Sequence, residues 1–198
     1  MFLRMVFVAA FLAAAIAATT TARIAARQHG GPLNQLSHEV RGLVVARALL
    51  GLVFYAMLAA WLLQPARWPW AYLPVPDTAR NAAAVLLMAA VAFLARSYRV
   101  LGANYRGGVG LYERHVLVMH GPYRVMRHPI YLAFLLIMLL LLPLTANWVL
   151  GVSGLVLVGM IAVVRIPIED AQLAERFGAQ WHEYRQHTGV FWPRTFTG

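Results

Sequence analysis

The stretch "PIYLAFLLIMLLLLPLTANWVLGVSGLVLVGMIAVV", residues 129–164, decides the fold that we predict for this chain. It contains two uncharged apolar runs, residues 130–144 and 148–164, and the short sequence "LTAN" covers the step between them. Apolar runs of this length and proximity predict two helices that form a tight hairpin. Because neither run carries a charge, we expect the hairpin to lie in a membrane.

Composition agrees with a membrane protein and predicts its class. Hydrophobic residues make up 61% of the chain and charged residues 12%, whereas about a quarter of the residues in a soluble domain are charged. Three further apolar runs lie at residues 5–18, 42–63 and 81–95. We therefore predict an all-α, polytopic membrane protein with about five transmembrane helices.

The predicted organisation is a single membrane domain over residues 1–198. Residues 1–100 hold three N-terminal transmembrane helices, and residues 101–198 hold the helical hairpin at 130–164. The first apolar run is also short enough to be a signal peptide, with Arg4 ahead of it. We expect this run to remain as a helix and keep cleavage as the alternative.

Arginine accounts for all seventeen basic residues, and its distribution predicts the orientation of the protein. If successive helices alternate in direction, fourteen arginines fall on one side and only Arg4, Arg67 and Arg80 on the other. The positive-inside rule then predicts a cytoplasmic C-terminus and an external N-terminus, in a prokaryotic inner (cytoplasmic) membrane. Since anionic lipids account for the formal charge of +10, we expect membrane lipids and no nucleic acid as partners.

A cytoplasmic site is predicted where the fourth helix begins, in "HGPYRVMRHPIYL" at residues 120–132. Pro129 suits a first helical turn, because its missing N–H would be unpaired there in any case. The free N–H groups of that turn, together with Arg127 and His128, favour a bound carboxylate or phosphate. The alternative is that these residues only anchor the helix at the membrane surface.

A second group of charges follows the fifth apolar run in "RIPIED", residues 165–170. A four-residue step places Arg165 and Glu169 on one helical face. Because the hairpin returns the chain to the same side, these charges are expected near His128. The combination of an anion site, a carboxylate and an arginine is more than anchoring requires.

The next segment predicts a helix that covers this pocket. Leu173, Phe177, Trp181 and Tyr184 recur at intervals that form one apolar stripe of a cytoplasmic helix. Docking of this stripe on the membrane surface or in the protein's own core is the alternative. His182 and His187 are five residues apart, one too many for a shared metal on one helical turn, so we expect no metal site.

Four elements of the sequence carry a family resemblance: "LGANY" at residues 101–105, "HVLVMHGPYRVMRHPIY" at 115–131, "RIPIED" at 165–170 and "FGAQWHEYRQHTGVFWP" at 177–193. In this order they resemble the isoprenylcysteine carboxyl methyltransferases and the related phospholipid N-methyltransferases. These are membrane enzymes that use S-adenosylmethionine. The resemblance covers nearly half of the chain.

The resemblance implies a bundle of membrane helices with a cofactor pocket on the cytoplasmic side, beneath a cytoplasmic C-terminal helix. Residues 101–198 would then be the catalytic and cofactor-binding region. The resemblance also implies a catalytic role for Arg165 and Glu169, with Arg165 on the methyl acceptor. Some members have a glutamine where this chain has Gly108, which is a departure on the cofactor side. The cofactor-binding residues implied by position are His115, Val116, Leu117, Val118, Tyr123, His128, Pro129, Ile130, Tyr131 and Glu169.

The predicted function is therefore transfer of a methyl group from S-adenosylmethionine to a lipophilic acceptor that enters from the bilayer. The first expectation is the carboxylate of an isoprenylcysteine-like or other isoprenoid or lipid substrate. The alternatives are a phospholipid or lipid amine N-methyltransferase, an NADPH-dependent enzyme similar to sterol reductases, and a non-catalytic scaffold. We expect a monomer, in which the small residues of "GVSGLVLVG" pack within the chain.

Overall fold

The computed structural model describes residues 2–29, 41–64, 68–106, 111–112 and 114–194. Isolated β-bridges occur, but no strand is assigned in these ranges, so the predicted all-α class is confirmed. The described ranges form six α-helices: α1 (Phe2–His29), α2 (Arg41–Leu63), α3 (Asp77–Leu101), α4 (Pro129–Thr145), α5 (Trp148–Phe177) and α6 (Ala179–His187).

Five of these helices correspond to the five predicted apolar runs. By length and composition, α1, α2, α3 and α5 can each cross a membrane. Helix α4 is equally apolar in character but shorter, with 17 residues. The chain is thus a polytopic integral membrane protein, as predicted. The side of the membrane on which α6 lies stays a prediction.

Three helices are much longer than the apolar runs that predicted them, and one of these is α3, which spans Asp77–Leu101 where the run covers residues 81–95. Helix α1 continues beyond residue 18, and the hydroxyls of Thr19, Thr20 and Thr21 donate hydrogen bonds to carbonyls one turn earlier, so these polar groups are satisfied within the helix. Helix α5 was expected to end at residue 164 and instead runs to Phe177. Pro167 lies inside it and removes only one backbone donor, and the helix-favouring residues that follow sustain the helix.

The chain divides into two compact units, and each long helix except α2 contributes to both. The first unit comprises Met1–Ala13, Glu39–Ala92 and Ala133–Ala162. The second comprises Ala14–His38, Phe93–Leu132 and Val163–Gly198. The single membrane domain predicted over residues 1–198 stays a prediction.

The predicted hairpin of α4 and α5 is present, and glycines allow its close packing in the first unit. A Cβ atom on Gly151 would lie 2.6 Å from Cβ of Leu142, and one on Gly154 would lie 2.7 Å from Sδ of Met138. These distances are too short for any side chain larger than hydrogen. In the connection, Asn147 accepts a hydrogen bond of 3.0 Å from the backbone N–H of Leu150 and so caps α5.

Candidate active site

The site lies in the second unit, where the start of α4 is held by the C-terminal segment. The backbone N–H groups of Arg127 and His128 donate to the carbonyls of Gly189 and Val190 at 3.0 and 3.1 Å. Pro129 is the first residue of α4, as predicted, and its side chain is fully buried. The backbone that carries His128 is therefore fixed on both sides before any side-chain contact is counted.

Glu169 is brought to the start of α4 by α5. The Tyr131 hydroxyl donates a hydrogen bond of 2.6 Å to Oε1 of Glu169. On the other side of the carboxylate, Oε2 lies 3.6 Å from Nδ1 of His128. The predicted neighbours His128, Tyr131 and Glu169 thus meet in one group.

Asp170, the next residue, completes a second set of contacts. One carboxylate oxygen lies 2.8 Å from Nε2 of His128, and the other lies 3.4 Å from Nη2 of Arg127. Arg127 also donates from Nη1 to the carbonyl of Thr188. Burial lowers the pKa of Arg127 from its usual value, and the Asp170 carboxylate opposes that change.

These pairs alter the expected chemistry at the mouth of α4. The sequence predicts that Arg127 and His128 bind an external carboxylate or phosphate, but both already face carboxylates of α5. Donors of Arg127 and His128 are therefore already engaged within the protein, which leaves fewer of them for an external anion. The anion contact at this position stays a prediction.

Arg165 lies one turn before Glu169 on the same helix, since α5 continues unbroken through both residues. Its guanidinium is within hydrogen-bonding reach of the Tyr131 hydroxyl and acts electrostatically on Glu169. The predicted placement of Arg165 and Glu169 on one face agrees with these contacts.

Tyr123 supplies a buried hydroxyl near this group. Its side chain is 6% exposed, and the hydroxyl oxygen has no hydrogen-bond partner among the described residues. Burial raises the pKa of Tyr123 well above its ordinary value, and the neighbouring Tyr184 and the Glu169 carboxylate add to this effect. The hydroxyl thus keeps its proton and is available as a donor to a bound molecule. Its main chain is fixed, because the Tyr184 hydroxyl donates to the Tyr123 carbonyl at 2.6 Å.

The segment from His115 to Val118 is not helical, and three of its residues make contacts that hold it. The backbone N–H of Val116 donates to Oδ1 of Asn104 at 2.8 Å, while the Val116 side chain is 62% exposed. Leu117 is buried against Trp181 and Tyr184. The ring of His115 lies 6.2 Å from that of Phe177. This segment reaches the group around His128 through Trp181, whose ring lies 5.8 Å from the Arg127 guanidinium.

The predicted stripe on a single helix is corrected by the structure. Leu173 and Phe177 belong to α5, Trp181 and Tyr184 belong to α6, and Gly178 between them has a φ of +51°. A positive φ, which glycine adopts without steric cost, ends one helix at Gly178 before the next begins. The four side chains nevertheless meet in one apolar cluster with Leu117, so the stripe forms part of the protein's own core.

Two residues of the site were not assigned a place in it from the sequence. Asp170 was not assigned a contact from the sequence, although an acid directly after Glu169 on a helix beside His128 was a usable signal. Asn104 lies in the quoted element "LGANY" and positions Val116. Gly108 lies outside the described residues. Within those residues, no group of three or more His, Asp or Glu side chains is placed to hold a metal ion.

The fold and the site define a class of protein: a helical integral membrane protein with a carboxylate, histidine and arginine group at the start of a membrane helix. Residues 82–175 match the sequence profile of the isoprenylcysteine carboxyl methyltransferase (ICMT) family. Over these 94 of its 198 residues the chain is similar to this family. A solved structure of the eukaryotic intramembrane Ras methyltransferase ICMT has a similar fold, with a TM-score of 0.54 and 20% identity over 79% of this chain and 54% of that one.

Curated plant proteins are similar in sequence to part of the chain. Protein-S-isoprenylcysteine O-methyltransferase A of Arabidopsis thaliana is 35% identical over 103 residues, which is 52% of this chain and 49% of that protein. The B protein of the same plant is 36% identical over 74 residues, 37% of this chain and 38% of that protein. A probable protein-S-isoprenylcysteine O-methyltransferase of Oryza sativa subsp. indica is 34% identical over 80 residues, 39% of this chain and 42% of that protein. The chain spans about half or less of the length of these relatives.

Proposed function

We propose that this protein is a membrane methyltransferase that moves a methyl group from S-adenosylmethionine to a lipophilic acceptor. The acceptor is the carboxylate of an isoprenylcysteine-like or other isoprenoid or lipid substrate that enters from the bilayer. One observation carries the proposal: Glu169, held by Tyr131, lies beside His128 with Arg165 one turn away. The relatives named as protein-S-isoprenylcysteine O-methyltransferases support the same activity.

The donor set fits S-adenosylmethionine, which supplies a methyl group on a positively charged sulfur when bound. Glu169 offers a carboxylate to the cationic part of that molecule, and Tyr123 offers an unpartnered buried hydroxyl. Polar groups of the bound molecule lose their hydrogen bonds to water, and the Glu169 carboxylate and the Tyr123 hydroxyl can replace those bonds. The cofactor-binding residues that we propose are His115, Val116, Leu117, Val118, Tyr123, His128, Pro129, Ile130, Tyr131 and Glu169.

Arg165 is the residue that we propose for holding the acceptor. It follows the apolar part of α5, so an amphipathic substrate brings its polar head to this level. A guanidinium can hold a carboxylate with two parallel hydrogen bonds. An acceptor carboxylate is already deprotonated, so the protein has no proton to remove. Its work is to align the acceptor with the methyl donor and to exclude water.

We favour the carboxylate acceptor over an amine because it needs no base, and the ring of His128 is engaged by two acids. An amine must lose a proton, and a base would have to accept it. Both ring nitrogens of His128 lie beside carboxylates, at 2.8 Å from Asp170 and 3.6 Å from Glu169. This position suits a histidine that orients two acids. A reductase or a scaffold has no such observation in its favour.

The proposal extends to location and assembly. We retain a cytoplasmic C-terminus and a cytoplasmic active site, which the arginine distribution supports. The prokaryotic inner membrane is part of the same proposal, although the relatives described above are plant proteins. A monomer is supported by the glycines of α5 that pack within the chain.

Calorimetric titration of the purified protein with S-adenosylmethionine and, separately, with NADPH tests the proposal. We expect binding of the first ligand alone, and methyl transfer to a farnesylated cysteine carboxylate in a radiolabel assay. Glu169→Gln should lose this binding. Glu175→Gln is the matched control and should keep it, because Glu175 is an exposed acid on the same helix. NADPH binding without S-adenosylmethionine binding would overturn the proposal.

A further inference from the structure

A cavity lies in the first unit and shares no residue with the candidate active site. Its volume is about 570 Å³, which lies within the range of sites for small molecules. The beginning of α1, the beginning of α3 and the end of α4 all contribute to its walls. Residues that matter for its chemistry are Arg4, Trp61, Tyr72, Arg80, Asn81 and Thr145.

The two arginines are anchored in the same way and keep further donors available. Nη1 of Arg4 donates to the Leu62 carbonyl at 3.3 Å, and Nε of Arg80 donates to the Leu144 carbonyl at 3.4 Å. Both carbonyls lie in the last turn of a helix, where backbone acceptors lack helical partners. A guanidinium has five N–H groups, so one such bond orients it without using the rest of its donors. Two oriented cations at one cavity suit a ligand with several anionic oxygens.

The balance of charge around the cavity is positive. Among the described residues that line it, Asp77 is the single acid. Its carboxylate lies 3.5 Å from Nη1 of Arg80, but the Asp77 side chain is 88% exposed. An ion pair this exposed is strongly screened by water. Asp77 and Arg80 also lie in the first turn of α3, where the helix dipole favours an anion.

Aromatic residues place the cavity at a membrane surface. Two T-shaped ring pairs, each with centroids 6.2 Å apart, join Trp68 to Trp70 and Trp70 to Trp148. Their side chains are 39 to 59% exposed, and Nε1 of Trp148 donates to the Trp70 carbonyl. Exposed tryptophans in such a cluster are typical of the headgroup level of a bilayer. Tyr72, two residues after Trp70, lines the cavity, so the cavity opens among lipid headgroups.

We infer that this cavity binds the phosphate of a phospholipid headgroup, with Arg4 and Arg80 as its ligands. The phosphate oxygens accept hydrogen bonds from the two guanidinium groups. The glycerol and acyl part extends over the apolar surface beside the cavity, where Phe2 and Leu63 are 69% and 78% exposed. This site is distinct from the proposed methyl-transfer site and does not depend on it.

The test measures thermal stabilisation of the full-length protein in detergent by three additives. These are dioctanoyl phosphatidylglycerol, dioctanoylglycerol without a phosphate, and inorganic phosphate. We expect saturable stabilisation by the phosphatidylglycerol alone. In the Arg4→Gln/Arg80→Gln double variant, the apparent affinity should fall at least about tenfold, because each lost bond was made to a charged group. Arg27→Gln, which removes an exposed arginine of α1, should keep the affinity of the unmodified protein.

Three outcomes would overturn the inference. They are an unchanged affinity in the double variant, equal stabilisation by dioctanoylglycerol, and equal stabilisation by inorganic phosphate, which would identify a free-anion site. Asn81→Trp provides a test that does not depend on the folding of the double variant. It fills the cavity and leaves both arginines in place, so it should also lose the phosphatidylglycerol effect. Retained affinity in Asn81→Trp would place the lipid elsewhere.

Discussion

The Tyr131 hydroxyl donates a hydrogen bond of 2.6 Å to Oε1 of Glu169 and thereby joins the first turn of α4 to α5. The same carboxylate faces His128 through its other oxygen. Glu169 is thus oriented by Tyr131 of α4 and by His128, which directly precedes that helix, before any ligand binds. Preorganisation of this kind lowers the cost of binding, because the side chain has already lost its rotational freedom.

Removal of the Glu169 carboxylate should abolish binding of S-adenosylmethionine while the protein still folds. Loss of one partner from a buried pair of opposite charges costs about 2 to 5 kcal/mol in protein interfaces. Calorimetry on Glu169→Ala, with Glu175→Ala as the control, measures the effect. Unchanged affinity in Glu169→Ala would remove this residue from the cofactor site.

Substitution of Arg165 should separate acceptor binding from cofactor binding. We expect Arg165→Ala to retain S-adenosylmethionine affinity and to lose methyl transfer. Arg165→Lys should also transfer poorly, because an ammonium group cannot form two parallel bonds to a carboxylate. Turnover with a farnesylated cysteine and calorimetry provide the two measurements.

The matched control for Arg165→Lys is Arg176→Lys, a change of an exposed arginine on the same helix. Near-normal turnover in Arg165→Lys would mean that Arg165 is only an anchor at the membrane edge. In that case the polar head of the acceptor must bind elsewhere.

The Tyr131 hydroxyl should be needed for cofactor affinity through the orientation of Glu169. Tyr131→Phe removes a hydrogen bond to a charged group, and such bonds contribute about 1.5 to 3 kcal/mol. We therefore expect the dissociation constant for S-adenosylmethionine to rise at least about tenfold. Tyr55→Phe is a suitable control, because Tyr55 is 59% exposed on α2. Equal affinity in the two variants would show that Glu169 needs no such support.

Asp170 should contribute mainly to stability, because its carboxylate is the partner of two buried side chains, those of Arg127 and His128. Asp170→Asn leaves Arg127, whose side chain is 4% exposed, without its carboxylate partner. Breaking a buried pair in this way costs about 3 kcal/mol. A fall in the thermal midpoint in detergent measures the loss. Asp77→Asn, which alters an exposed carboxylate, should leave the midpoint nearly unchanged.

The helices, and the approach of Arg165 and Glu169 to His128, could be predicted from sequence because local patterns encode them. Long apolar runs predicted α1 to α5, and the four-residue step predicted the common face of Arg165 and Glu169. The break at Gly178 was missed because the apolar spacing continues across it, and only the backbone φ of +51° reveals the turn. The pair of His128 and Asp170 depends on the exact height at which α5 passes α4, which no local pattern specifies.

The contact between the start of α4 and residues 188–190 determines the order in which the protein can be assembled. Arg127 and Thr188, which this contact joins, are 61 residues apart in the chain. A ribosome adds about 5 to 20 residues per second, so the donors of Arg127 and His128 wait several seconds for their acceptors. During that time α4 and α5 can already enter the membrane. The candidate site is therefore closed only after residues 188–190 have been synthesised, and a nascent chain that stops before Thr188 can insert without closing it.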